Sequence, residues 1–425
     1  MRCTSDNPKT APYSDQQKNP SHTSAKLFSN VQFIYELILA QLELRSLGAV
    51  FEMTDELSSF TLLNILDDER LRRRLAYFQT INGTKTDYSV ISQKNRTRSV
   101  NQYLTHWMYP YKGKFHPQMI RAALNIIGLE SGETVLDPFV GSGTTALEAQ
   151  LLGVNCIGLD ASPLCVLQST VKTASHEVVG NIREYCEDLP RLELAETPLE
   201  EAALNPVPST ADQRVQDFFH LAKLIALSDS VRRRKDFTSA FVSRTKLMTQ
   251  SIIDYDEISR ELGLSLGRVV IERGDARALP LRDNSVDGII TSPPYAIALD
   301  YIKNDAHALQ ALGLDVREMR GQFIGLRGRL NERVHLYNED MKRSLEEMAR
   351  VLKPSKFALI VIGNATYKGS ALKSVEYITK HASEIGLRLT KSIDKNIFGL
   401  YNVMQKEKVL IFKKDEECTQ SPELE

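Results

Sequence analysis

Hydrophobic and polar positions along the chain fall into two regimes. In the first, apolar residues recur at helical spacing over 31–48 (VQFIYELILAQLELRSLG), closed by Gly48, and again over 61–78 (TLLNILDDERLRRRLAYF). The second stretch sets Arg70, Arg72, Arg73 and Arg74 on or near one side. Residues 84–101 are polar and carry Lys94, Arg96 and Arg98. From Tyr109 short apolar runs bounded by turn residues take over. YPYKGKFHP (109–117) reads as a loop, 118–127 as a helix, and TVLDP (134–138) as a strand ending in an acid. A glycine turn, a helix over 144–153 and a strand NCIGLD (155–160), again ending in an acid, complete one βαβ unit of a parallel sheet.

The next strand of this kind, VVIERGDA, begins only at 269. A helix with its loops fills about 20–25 residues, so roughly 80 residues are inserted. The insert starts acidic (Glu184, Glu187, Asp188, Glu193, Glu196, Glu200, Glu201), passes Pro206 and Pro208, then turns helical and basic (Arg232, Arg233, Arg234, Lys235, Arg244, Lys246). Strands follow at 285–292, 357–364 and 407–414, with a helix over 338–352 stopped by Pro354. The division expected is a flexible arm at 1–26, a helical N-terminal region at 27–108, and a sheet domain in two parts. Those parts are 109–175 and 265–415, separated by a mainly helical insertion at 176–264 and followed by a tail at 416–425.

Composition narrows the class. With 425 residues, 25% charged and 42% hydrophobic, the chain has the make-up of a globular protein of two or three domains. No run of 18 apolar residues exists and no apolar segment opens the chain, so neither a membrane span nor a secretory leader is expected. Five scattered cysteines (3, 156, 165, 186 and 418) form no CxxC pair, and the eight histidines supply no zinc spacing. That pattern suits a reducing cytoplasm and predicts no metal site. A net charge of −1 gives no global pull toward a polyanion, so such a partner requires local basic patches.

The glycine turn reads Asp137-Pro-Phe139-Val-Gly141-Ser-Gly143-Thr144-Thr. Two glycines allow a tight turn and close approach of a ligand to the peptide groups. Ala146 replaces the third glycine of a dinucleotide fingerprint, and no Gly-Lys-Ser/Thr follows, so a P-loop is excluded. Asp137 beside the turn repels a pyrophosphate and suits a cation. Asp160, 19 residues after Gly141, stands where doubly wound folds place the acid for ribose hydroxyls. A ribose, a positive charge and no phosphate describe S-adenosylmethionine. Asp275, in Gly-Asp-Ala276, is a third strand-end acid that can accept the adenine amino hydrogens.

Ser292-Pro293-Pro294-Tyr295 follows an apolar strand. Consecutive prolines fix an extended turn and remove two N–H donors while leaving carbonyl acceptors. A serine side chain and a carbonyl can together hold both hydrogens of an exocyclic amine, and Tyr295 can stack on its ring, so catalysis by positioning is expected.

Together, DPFVGSGTT, GLD, GDA and SPPY resemble the S-adenosylmethionine-dependent amino-methyltransferases of nucleic-acid bases. With Ser first, SPPY looks like the cytosine-N4 DNA methyltransferases. Many of those carry SPPY ahead of the glycine motif, the reverse of the order here. The resemblance implies a doubly wound, mostly parallel seven-stranded sheet (an α/β, Rossmann-like fold) with one antiparallel strand. It implies a cofactor loop of Asp137, Phe139, Gly141, Gly143 and Thr144, ribose on Asp160, adenine beside Asp275 and Ala276, and the methionine end near Lys114, Phe115, His116 and Pro117. Ser292, Pro293, Pro294 and Tyr295 would hold the target amine. The implied reaction is direct methyl transfer to cytosine N4 in DNA, within a restriction-modification setting, with adenine-N6 or tRNA guanine-N2 methylation as alternatives. Cytosine-C5 chemistry is excluded, because no Pro-Cys dipeptide occurs.

A base inside a duplex must be flipped to be reached, and phosphates need basic contacts. The glycine-rich stretch after SPPY supplies Arg317, Arg320, Arg327, Arg329 and Arg333 as first candidates, and the 232–246 cluster as the second.

Overall fold

The computed structural model describes residues 23–54, 57–97, 99–111, 113–193, 212–295, 301–328, 332–367, 370–398 and 404–416. Its central sheet has seven strands: β6 (Thr134–Asp137), β7 (Asn155–Asp160), β8 (Val269–Arg273), β9 (Val286–Thr291), β10 (Leu352–Gly363), β13 (Leu387–Phe398) and β14 (Met404–Lys414). They lie in the order β13-β14-β10-β9-β6-β7-β8. β14 runs antiparallel to β10 and β13, while β10-β9, β9-β6, β6-β7 and β7-β8 are parallel pairs. This is the doubly wound sheet with one antiparallel strand that the motifs imply.

Both faces of the sheet are covered, and side chains alternate between two cores as a pleated strand requires. Val135, Ile290, Leu359, Val361, Val409 and Ile411 belong to one core. Their chain neighbours Leu136, Ile289, Ala358, Ile360, Leu410 and Phe412 belong to the other, with helices Arg333–Val351 and Ser374–Glu384. Strand order reverses between β6 and β9, so the carboxyl ends of these two strands frame the crevice where open α/β sheets bind ligands.

The N-terminal region departs from expectation. Residues 27–108 are not simply helical: β1 (Thr23–Leu27), β2 (Val50–Met53), β3 (Ser59–Asn64), β4 (Phe78–Ile81) and β5 (Thr84–Lys85) form an antiparallel sheet in the order β2-β3-β1-β4-β5. Residues 1–22 of the expected arm lie outside the described residues, and 23–26 belong to a strand. The expected helix 61–78 is instead the end of β3, a short helix Asp68–Arg74 and the start of β4. Asp67 accepts from the Arg70 amide and starts that helix late, and Phe60 and Leu62 alternate into the core as strand residues do. The helix expected at 31–48 forms as Ile34–Ser46 and packs on helix Pro117–Ile126. Buried Glu43 fastens the contact, accepting from the Ala76 amide at 2.8 Å and Asn125 Nδ2 at 2.7 Å.

The insertion is helical: Val179–Glu193, Gln213–Arg233 and Phe237–Glu261. The last two share a core with Tyr301–Ala311 and Val316–Gln322, two helices that follow the tetrapeptide. No helix among the described residues is long and apolar enough to cross a membrane.

Candidate active site

The chain leaves β6 at Asp137 and turns through Val140, whose amide donates to Leu159 O on β7 at 2.9 Å. Gly141 (φ +49) and Gly143 (φ +76) take left-handed conformations that side chains oppose. Gly143 then starts helix Thr144–Leu151, and a Cβ there would stand 2.9–3.0 Å from Ser169. Helix Pro163–Ala174 braces the turn from behind: Ser169 Oγ donates to Gly141 O at 3.1 Å, and fully buried Lys172 Nζ to Ser142 O at 2.8 Å. Burial holds the Lys172 amine well below the usual lysine range. Thr144 Oγ1 lies 3.3 Å from Ser142 Oγ.

Asp160 binds the turn itself. Its Oδ2 accepts from the Gly141 amide at 3.0 Å and its Oδ1 from Ser162 at 2.8 Å. Each oxygen keeps lone pairs for further donors. Asp137 Oδ1 accepts from the Thr291 hydroxyl at 2.7 Å and the Phe139 amide at 3.2 Å. Its buried Oδ2 has no hydrogen-bond partner among the described residues. Burial pushes both acids up to about 6.

Thr291 joins the two motifs, since it bonds Asp137 and immediately precedes the tetrapeptide. Ser292 Oγ donates to Val361 O on β10 at 2.9 Å. With its proton committed, the hydroxyl can only accept from another group. Pro293 is buried, and Pro294 and Tyr295 are half-buried. Tyr295 packs against the core that holds Tyr337.

Loop 109–117 reaches the turn through Tyr111, whose ring lies 3.2–3.4 Å from where a Gly141 Cβ would be. Lys114 Nζ donates to His106 O at 2.6 Å, Gln102 Oε1 at 3.2 Å and Asn101 O at 3.3 Å, and burial lowers its pKa to about 7. Phe115 packs on the N-terminal core. His116, pushed down to about 4 by burial, precedes Pro117, the first residue of its helix. Lys114 therefore braces the 101–106 segment, three of whose oxygens surround its ammonium.

Asp275 is held by Arg277, whose Nε and Nη2 approach its two oxygens at 2.7–3.1 Å, with Ala276 buried between them. Arg277 also reaches buried Asp340 at 3.0 Å. The first arginine candidates disperse. Arg327 pairs with buried Asp340 at 2.7 Å. Arg333 donates to Gly328 O at 3.3 Å. Arg317 is exposed and Arg320 half-buried, both on helix 316–322, and Arg329 lies outside the described residues. Cys156 and Cys165 are free and buried. No group of three or more His, Cys, Asp or Glu suited to a metal occurs among the described residues.

Three residues of the site carry no motif: Tyr111, Lys172 and Thr291. The position of Thr291, between an apolar strand and Ser292, was the one local signal available.

Comparison with known proteins points the same way as the motifs. The DNA methylase family of N6 and N4 methyltransferases matches residues 6–169. Type II methyltransferase M.BsoBI of Geobacillus stearothermophilus is 26% identical over 315 residues, 59% of this chain and 60% of the relative. Type II methyltransferase M.MjaII of Methanocaldococcus jannaschii is 37% identical over 91 residues, 21% of this chain and 16% of the relative. A tRNA (guanine(10)-N2)-dimethyltransferase of Methanothermobacter thermautotrophicus is 40% identical over 50 residues, 12% of this chain and 15% of the relative. The chain thus spans less than two thirds of the length of each of these relatives. It is similar to S-adenosylmethionine-dependent amino-methyltransferases of the N4/N6 type.

Proposed function

We propose that the chain methylates the exocyclic N4 of cytosine in DNA, with S-adenosylmethionine as donor. The observation that carries the reading is the Asp137–Thr291–Ser292 connection, which puts a glycine turn with an unpartnered carboxylate oxygen beside an amine-accepting tetrapeptide. The residues fit the cofactor. Asp137 Oδ2 is a buried acceptor awaiting a cationic partner, Asp160 is fixed by two backbone amides, and Cβ atoms at Gly141 and Gly143 would fill the turn. Phe139 and Thr144 border that turn, and Asp275, oriented by Arg277, lies with Ala276 at the adenine side.

When bound, the cofactor supplies a methyl carbon on a sulfonium, an electrophile that needs no metal. The chain's task is orientation. Ser292 Oγ and the Pro293 carbonyl accept the two amine hydrogens, which leaves the nitrogen lone pair directed at the methyl carbon; as the N–C bond forms, the C–S bond would break to leave a neutral thioether, and one amine proton would pass from these acceptors to solvent. Pro294 stiffens the turn and Tyr295 stacks on the flipped base. Serine at the first position favours cytosine over adenine, by resemblance. The short match to a tRNA methyltransferase supports a second reading, guanine-N2 methylation of tRNA.

Mass spectrometry of nucleosides after incubating the protein and cofactor with DNA and with tRNA separates these. N4-methylcytosine from DNA is expected. N6-methyladenine from DNA overturns the base assignment, N2-methylguanine from tRNA favours the second reading, and no methylated nucleoside overturns both.

A further inference from the structure

Among the described residues, a dense run of exposed positive charge lies at the tip joining helices 213–233 and 237–261. Residues Arg232, Arg233, Arg234 and Lys235 are all exposed. Beneath them sits Asp229, 7% exposed, approached by Arg244 at 2.6 Å, Arg233 at 3.2 Å and Lys235 at 3.6 Å. One buried carboxylate thus anchors three cations, and a second, Asp236, is committed to capping the following helix through the Ser239 amide. Five cations face two carboxylates, so the tip keeps a clear positive excess in a chain whose total charge is −1.

The tip also docks on the helix that follows the tetrapeptide in the chain. Arg232 Nη2 donates to Asn304 O at 2.8 Å, in helix 301–311, and Tyr109 OH donates to the adjacent Asp305 at 3.0 Å. Asn304 lies nine residues after Tyr295. Nine residues span at most about 30 Å, roughly nine steps along a DNA strand at 3.4 Å each. A strand running from a base at Tyr295 toward the tip therefore reaches it within about one helical turn.

We infer that the Arg232–Lys235 tip, anchored by Asp229 and docked on helix 301–311, is a phosphate-backbone contact for the DNA that flanks the target base. This rests on the proposal that the chain acts on DNA. Its role is affinity without sequence reading, because Arg and Lys on phosphates position a duplex and leave the bases unread.

The test uses the full chain and a mixed-sequence duplex of about 30 base pairs, with affinity followed by fluorescence polarisation across a salt series. The variants are the triple Arg233→Ala/Arg234→Ala/Lys235→Ala and the milder Arg234→Gly/Lys235→Gln. The milder pair suits the left-handed φ of +54 at residue 234 and leaves Arg233 and Arg244 on Asp229. For the triple variant, affinity should fall on the order of 100-fold at 0.1 M salt, with a slope of log K against log salt shallower by about 2–3. The pair should lose about 1–2 of slope, with cofactor binding unchanged. An unchanged slope in the pair, while the wild type binds duplex, overturns the inference and leaves the DNA reading intact. A wild type that binds no duplex overturns the DNA reading itself. Slope loss seen with tRNA and not with duplex overturns DNA as the partner.

Discussion

Lys172 Nζ donates to the Ser142 carbonyl at 2.8 Å from a position only 2% exposed. With Ser169 on Gly141 O, it holds two carbonyls of the glycine turn toward helix 163–174 and away from the crevice. Lys172→Met keeps most of the side-chain volume and removes the donor. The Ser142 carbonyl is then buried and unpaired, at a cost of about 1–3 kcal/mol, and the turn can relax. Because the cofactor then has to restore the turn, we expect its affinity to fall about 10-fold, which is about 1.4 kcal/mol. Calorimetry on the wild type and variant checks it, and equal affinities would remove Lys172 from the site.

Ser292→Ala deletes an acceptor for the amine and leaves Val361 O without its donor. The loss falls on the reacting group, so turnover should drop about 100-fold or more, in line with removal of one preorganised polar group. Cofactor affinity should stay within about twofold, because Ser292 touches no part of the glycine turn. Single-turnover kinetics at saturating cofactor separate the two quantities. A variant that turns over normally would exclude the hydroxyl from catalysis.

What was legible in the sequence divides along physical lines. The sheet half could be read because each parallel strand is a short apolar run and the acids stand at its carboxyl end, so Asp137, Asp160 and Asp275 were found from order alone. The N-terminal sheet could not, since its ladders join β1 to residues 59–62 and 78–81, pairings no local window contains. There the apolar spacing around Phe60, Leu62, Leu71 and Leu75 suits a helix as well as two strands and a turn. The partners of the arginines are hidden for a related reason. Arg327 is neutralised by Asp340, 13 residues away on the next helix, and a basic residue in a list of charges carries no mark of its partner. Arg277 on Asp275, two residues apart, was within reach of sequence reading and was missed.

The junction of the N-terminal region with the sheet contains a fully buried charge pair, Arg121 and Glu148, at 3.5 Å. Glu148 also accepts from Tyr103 and lies 2.8 Å from His106 Nε2. Breaking such a pair by removing one member costs about 3–5 kcal/mol, because the remaining charge stays buried without compensation. Glu148→Gln, nearly the same in shape, should therefore lower stability by about that amount in urea titration. A loss below about 1 kcal/mol would mean that Arg121 is held by the Arg73 and Arg74 carbonyls alone.

Asp137 and Asp160, both pushed up to about 6 by burial, give opposite pH dependences to stability and to ligand binding. A free aspartate titrates near 3.9. Between about 4 and 6 the folded chain holds protons that the unfolded chain releases, so stability from these groups is full below about 4 and declines as pH rises through 6. The cation requires the ionised form, so affinity for S-adenosylmethionine should run the other way, falling as pH drops through about 6. With a pKa of about 6 on the carboxylate that faces the cation, we expect a loss of about fourfold between pH 7.5 and 5.5, steepening toward one decade per unit at lower pH. The ligand-induced rise in melting temperature should shrink in parallel, since it follows the ratio of ligand concentration to Kd. In Asp137→Asn the affinity at pH 7.5 should already be low and the dependence flatter. Calorimetric affinities independent of pH in the wild type would mean that neither carboxylate faces the cation.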